Sequence, residues 1–261
     1  KSVAAVQADW QSMPPFLQVR VWLVWDAAET AVVAQGLIAI MNTDENQHLA
    51  QVGIGVLPEY RQQGIGRALL ALVAAEAEAQ NRRLLGGNTN GRVPAGEQFM
   101  ERLGGNRGLA THLNQLALAD LDQSPLQSWR QNAPTADFAL GCWEGPYPEE
   151  QLSDIVALHE VMNQQPYDDL DVEDFHMTGE QLRQIEANLV AQDVTRWTLY
   201  VKDKATGKLA GYTEMMFLPE RPAVASQGDT GVFPEYRGKG LGRWLKAAML
   251  ARVVAERPSV H

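Results

Sequence analysis

A fifteen-residue pattern recurs in this chain. Val56-Leu-Pro-Glu-Tyr-Arg-Gln-Gln-Gly-Ile-Gly-Arg-Ala-Leu-Leu70 aligns with Val232-Phe-Pro-Glu-Tyr-Arg-Gly-Lys-Gly-Leu-Gly-Arg-Trp-Leu-Lys246 at nine identical positions. The copies lie 176 residues apart, too far for a solenoid repeat and right for a duplicated domain. The 261 residues therefore read as two related domains, 1–125 and 126–261, with the junction in the polar, two-proline stretch 122–134.

The flanking patterns repeat in the same order. Before the first copy, residues 19–25, 31–40 and 48–56 are short runs rich in Val, Ile and Trp that predict strands. After it, 67–80 has apolar residues at helical spacing, 82–85 reads as a strand, 94–103 as a helix opened by Pro94, and 111–117 as a closing strand. Around the second copy, 136–142, 197–201, 208–217 and 227–232 predict strands, and 148–163, 178–191 and 241–256 predict helices. By this pattern the first half lacks an opening strand and helix, and the second half stops soon after its last helix. Lys1-Ser-Val is neither an initiator Met nor the start of a basic-then-apolar signal, so the chain reads as trimmed.

Composition narrows the function classes. At 45% hydrophobic and 21% charged the chain can bury a core. Its net charge of −10 argues against a nucleic-acid partner, and no window of ~18 apolar residues predicts a membrane span. One cysteine, Cys142, excludes an internal disulfide and points to a reducing, cytoplasmic compartment; its strand-like setting speaks against a nucleophile. The histidines are scattered without metal-ligand spacing, so no metal is implied. Trp22, Trp25, Trp129, Trp143 and Trp197 read as packing residues, and the acidic run 167–174 as a solvated loop or the lining of a cationic acceptor's site. Monomer and homodimer are both compatible with the sequence.

The repeated motif carries the chemistry. A strand, a Pro-Glu-Tyr turn, Arg-x-x-Gly-x-Gly and a helix would gather free backbone N–H groups at the helix's first turn, where donors and dipole favour an anion. Gly64 and Gly66, and Gly240 and Gly242, remove the Cβ atoms that would keep a phosphate off the backbone. Neither a nucleotide P-loop nor a complete dinucleotide fingerprint is present.

These residues resemble the GCN5-related N-acetyltransferases, whose hallmark Gln/Arg-x-x-Gly-x-Gly/Ala stands here as Arg61-Gln-Gln-Gly-Ile-Gly66 and Arg237-Gly-Lys-Gly-Leu-Gly242. The resemblance implies two tandem α/β folds, each a mixed, mostly antiparallel sheet flanked by helices. It implies acetyl-coenzyme A as co-substrate, held by Val56, Arg61, Gln62, Gln63, Gly64, Ile65, Gly66 and Arg67 and by Val232, Arg237, Gly238, Lys239, Gly240, Leu241, Gly242 and Arg243. It further implies a strand splayed from its neighbour, occupied here by Ile54, Val56, Thr230 and Val232, and direct attack of a small-molecule amine on the thioester. Where the family often has an acid Tyr, the first domain has Phe99. Candidate bases are Glu214 and Asp229 in the second domain; the first offers only Gln51 and Gly53 there. The second domain is thus the expected site of turnover. Two alternatives stand: a non-catalytic acyl-coenzyme A sensor, or a generic nucleotide site.

Overall fold

The computed structural model describes Gln7 and residues 10–261. The chain forms two compact units, and neither is one continuous stretch. The N-terminal unit comprises Pro15–Ala110 with the later segment Tyr167–Asp174; the C-terminal unit comprises a stretch ending at Pro14, Thr111–Pro166 and Phe175–His261.

In the N-terminal unit, β1 (Leu17–Trp25), β2 (Val32–Met41), β3 (Leu49–Val56) and β4 (Leu84–Gly87) form a sheet in chain order. The first two pairings are antiparallel and β3–β4 is parallel. Alternation along β2 buries Ala34, Ile38 and Ile40. Helix α1 (Ile65–Ala79) covers that side with Leu69, Val73 and Ala77, spaced four apart on one stripe. A Cβ on Gly36 would lie 3.2 Å from Leu69, so the glycine lets helix and sheet close up. α2 (Pro94–Arg102) follows β4. β3 meets β4 only from Leu49–Leu84 to Val52–Gly87; beyond that point β4 ends and the edge of residues 53–56 has no strand on that side.

The acidic run is a mostly exposed loop, as its composition predicts, and it is hydrogen-bonded to this unit. Asn46 donates its N–H to the Glu173 carboxylate (2.5 Å) and its side-chain amide to the Glu173 carbonyl (3.0 Å), and Glu173 N–H donates back to Asn46 Oδ1 (2.8 Å). His48 Nε2 lies 3.0 Å from the Asp171 carbonyl and 3.3 Å from its carboxylate.

In the C-terminal unit, β5 (Phe138–Glu144), β6 (Thr195–Asp203), β7 (Leu209–Phe217) and β8 (Ala225–Val232) pair antiparallel in chain order. Two cores lie on its two faces. Trp197, Leu199, Val201, Met215 and Phe217 meet Leu245, Met249 and Val253 of α6 (Leu241–Glu256). On the other side Trp143 and Tyr212 meet Ile155 and Leu158 of α4 (Leu152–His159) and Leu182 of α5 (Gly179–Ala191), whose start is fixed by a Thr178–Gln181 capping box.

Four expectations are corrected. Residues 111–117 form no strand, and Leu113 is fully exposed. The stretch 122–134 holds a helix, α3 (Gln123–Gln131), because the Asp122 carboxylate caps Ser124 N–H and Pro125 is tolerated in a first turn; Leu126 is its buried anchor. The expected helix 148–163 is α4 between two 3₁₀ turns. Trp25 is 51% exposed rather than packed.

Gly211 marks the closest approach of a strand glycine to neighbouring backbone: an added Cβ would sit 2.5 Å from the Gly231 carbonyl and 3.0 Å from Val232 Cα, backbone atoms that cannot rotate away. Gly211→Ala is expected to cost about 1–3 kcal/mol, read as a lower urea midpoint.

Candidate functional site

Both copies of the motif fold alike. Pro58–Tyr60 and Pro234–Tyr236 form single 3₁₀ turns, and the next arginine reaches back: Arg61 Nε donates to the Val56 carbonyl and Arg237 Nε to the Val232 carbonyl, each at 3.0 Å. The two arginines latch the loop to the end of its strand. The second and fourth loop positions are left-handed: Gln62 (φ 62°) and Gly64 (φ 86°) in one copy, Gly238 (φ 78°) and Gly240 (φ 79°) in the other. Gln62 carries this at a cost of roughly 1 kcal/mol that Gly238 avoids.

These turns aim the following amides outward. Ala68 and Trp244 are the first residues to bond back, to the Gly64 and Gly240 carbonyls, so the N–H groups of residues 65–67 and 241–243 have no acceptor in their helices. A Cβ at Gly64, Gly238 or Gly240 would meet nothing within 4 Å. The second loop opens on a cavity of about 420 Å³ lined by Val232, Arg237, Gly238, Gly240, Gly242 and Arg243. The residues present therefore fit a diphosphate. Ile65 is half-buried, and Leu241 is fully buried in the core beneath its loop. Lys239 Nζ lies over the Phe138 and Tyr236 rings, at 5.5 and 5.4 Å. Gln63 donates its side-chain amide to the Glu59 carbonyl at 3.2 Å. Arg67 and Arg243 stand in the first turn of their helices, Arg243 5.9 Å from the Trp129 ring.

Glu214 and Asp229 come together. The β7–β8 ladder slips between Thr213–Thr230 and Met215–Gln227, leaving Gly228 and Asp229 as a bulge opposite Glu214. Asp229 is exposed; Glu214 is 5% exposed on the α4–α5 side of the sheet. Glu214 accepts from the Tyr147 hydroxyl (2.8 Å) and from Thr198, its partner across β6–β7 (3.3 Å). Tyr147 is held on several sides. Its N–H donates to Glu186 (2.6 Å), its carbonyl accepts from Arg183 (2.9 Å), and the Arg196 guanidinium lies 3.8 Å from its ring. Arg196 in turn pairs with buried Glu186 at 2.7 Å. Beside them, the Tyr212 hydroxyl lies 3.2 Å from His159 Nδ1 and 3.4 Å from Asp229 Oδ2.

The environment separates these groups electrostatically. Loss of water, then the Glu214 charge, raises the Asp229 carboxyl above the usual range, against the pull of His159 and the Tyr212 hydrogen bond. Burial, then the Arg196 cation, pushes His159 down to about 4, with Asp229 opposing. Burial and Glu214 raise the Tyr147 phenol, so it stays a donor at neutral pH.

The N-terminal unit lacks this set. Counting register back from Val56 and Val232, the places of Asp229, Glu214 and Tyr212 are held by Gly53, Leu37 and Gln35, and β2–β3 runs without a bulge. Gln51 packs its amide against Gly86. The Phe99 ring lies 3.6 Å from where a Gly66 Cβ would stand.

Sequence reasoning missed Tyr147, Thr198, Arg196 and Glu186, which only strand register and helix placement bring in. Tyr212 was within reach of it, two residues before Glu214 and so on the same face. Cys142 lies elsewhere, half-buried against Arg252 (2.6 Å) in a cavity of about 980 Å³ between α3, β5 and α6, at the sheet edge opposite β8. Burial raises its thiol despite Arg252, keeping it protonated. Among the described residues no three His, Cys, Asp or Glu side chains form a metal-binding group, and no helix is long and apolar enough to cross a membrane.

Comparison with known proteins finds the acetyltransferase (GNAT) domain over residues 18–104 and the acetyltransferase (GNAT) family over residues 155–257. Among solved structures, a tandem GNAT protein from the clavulanic acid biosynthesis pathway is similar over 100% of this chain and 78% of its own, with TM-score 0.74 and 25% identity. A GCN5-related N-acetyltransferase from Sphaerobacter thermophilus is similar over 97% and 73%, with TM-score 0.63 and 14% identity. The glucosamine N-acetyltransferase region of a fungal multi-domain β-N-acetylglucosaminidase shares the fold over 98% of this chain and 31% of that one, with TM-score 0.56 and 12% identity. No curated protein matches.

Folded His159 resists protonation while an unfolded histidine takes a proton near pH 6.5, so the unfolded state binds more protons between about pH 6.5 and 4. Stability contributed by the neutral ring is present above pH 6.5 and lost as pH falls through that window. In urea unfolding, His159→Phe is expected to flatten this part of the pH profile.

Proposed function

Since the chain belongs to the GNAT acetyltransferase family, represented once in each half, we propose that it transfers an acetyl group from acetyl-coenzyme A to the amine of a small molecule, and that the C-terminal unit performs the turnover. The observation that carries this reading is the bulge at Gly228–Asp229. It sets an exposed carboxyl on the strand that runs directly into the Gly240 loop, with Glu214 behind it.

The amides of residues 238–243 hold the diphosphate, and the edge of β8 facing away from β7 receives the pantetheine arm. The acceptor arrives as an ammonium, drawn by the Asp229 and Glu214 charges. Asp229, raised and exposed, takes one proton; the neutral amine attacks the thioester carbonyl, a C–N bond forms and the C–S bond breaks. The thiolate leaves and takes a proton from water, and the hydroxide so formed removes the second proton from the nitrogen as the amide forms. A cationic acceptor such as a polyamine, an amino sugar or an amino acid derivative suits the paired carboxylates.

For the N-terminal unit a second reading is favoured: binding of acyl-coenzyme A without turnover. Its loop has the same left-handed frame, but Gly53, Leu37 and Phe99 supply neither base nor acid. We keep 1–125 and 126–261 as the proposed limits of the two family domains.

Thiol release across a panel of amines tests the proposal. Gly240→Glu, which places a carboxylate where the diphosphate would lie, is expected to reduce turnover to background, while Gly64→Glu leaves most of it. Loss from Gly64→Glu alone would move turnover to the N-terminal unit, and a flat response to every amine would favour a binder throughout.

A further inference from the structure

The Tyr212 hydroxyl has one proton and two acceptors. It lies 3.2 Å from His159 Nδ1 and 3.4 Å from Asp229 Oδ2, and because the residue is fully buried, the fold decides where the proton points. We propose that His159 is a positioning residue for the acyl transfer: by sharing the Tyr212 proton it weakens the hydrogen bond that Tyr212 donates to Asp229 and leaves the carboxylate basic enough to deprotonate the incoming ammonium. This rests on the reading of Asp229 as the base.

Every element around the ring supports this role. Tyr147, from the turn after β5, and Tyr212, from β7, stand edge-on to the imidazole with ring centres 6.3 and 5.1 Å away, which fixes its plane. The charged groups facing the cluster are Arg196 on β6, Glu214 on β7 and Asp229 on β8. Burial and the Arg196 cation favour a neutral imidazole, and a neutral ring with its proton on Nε2 has a free lone pair on Nδ1. A hydrogen bond donated to a carboxylate stabilises its charged form and lowers its basicity. His159 and Tyr212 therefore set the strength of the base between them, although neither touches the substrate.

The acid limb of kcat/KM against pH, followed by thiol release, reads this directly. His159→Phe leaves Tyr212 no acceptor except Asp229, and the limb should move down by about half to one pH unit. Tyr212→Phe removes the donor, and the limb should move up. His159→Gln, whose side-chain carbonyl can accept from Tyr212, should restore the wild-type position. Limbs that stay in place, or move in the same direction in His159→Phe and Tyr212→Phe, would overturn the proposal; if His159→Phe does not fold, His159→Leu, which likewise cannot accept from Tyr212, is read in its place. Asp229→Asn separates this inference from its premise. A limb that survives that substitution shows that Asp229 is not the base, whereas a limb that vanishes there yet ignores His159 and Tyr212 refutes only the role of His159.

Discussion

The structure depends on a conflict at the end of two strands. β3 and β8 must each stop, turn and start a helix within a few residues, and the first turn of any helix leaves N–H groups without acceptors. Left-handed backbone at the second and fourth loop positions resolves the turn while directing those groups outward. The arginine latch onto the strand's last carbonyl holds the arrangement in place. What results is a set of outward-facing donors with open space at Gly64, Gly238 and Gly240, a site for an anion created by backbone geometry.

The two copies show how separable binding and chemistry are. Both keep the latch and the left-handed frame, which is what a diphosphate requires. Only the C-terminal copy has the slipped ladder, and the slip is what turns Asp229 out at the strand surface opposite buried Glu214. Behind that pair, Tyr147, Thr198 and the Glu186–Arg196 ion pair form a connected polar layer under α4 and α5. A layer like this is costly to bury unless its members satisfy one another, and breaking it leaves charges stranded. Its presence in one unit and absence from the other fits the division of labour proposed here.

Much of this was legible in the sequence, for physical reasons. The repeat located both loops because glycine and proline mark backbone conformation directly, and strand alternation with 3.6-residue spacing located most elements. Helix α3 was hidden because its signal is a cap, Asp122, rather than an apolar stripe. The polar layer was hidden because Tyr147, Thr198 and Glu214 lie on three separate segments, joined only by strand register. Nor could spacing reveal that residues 167–174 pack with the N-terminal unit, since Asn46 and Glu173 are distant in sequence. What one-dimensional pattern could not show is the Tyr212 hydroxyl shared between His159 and Asp229.

The most direct measurement is a crystal structure of the chain with coenzyme A. The account predicts diphosphate oxygens about 3 Å from the amide nitrogens of residues 238–243, with the pantetheine arm running along the free edge of β8 towards Asp229. Coenzyme A bound instead in the cavity between α3, β5 and α6, with the Gly240 loop empty, would contradict it.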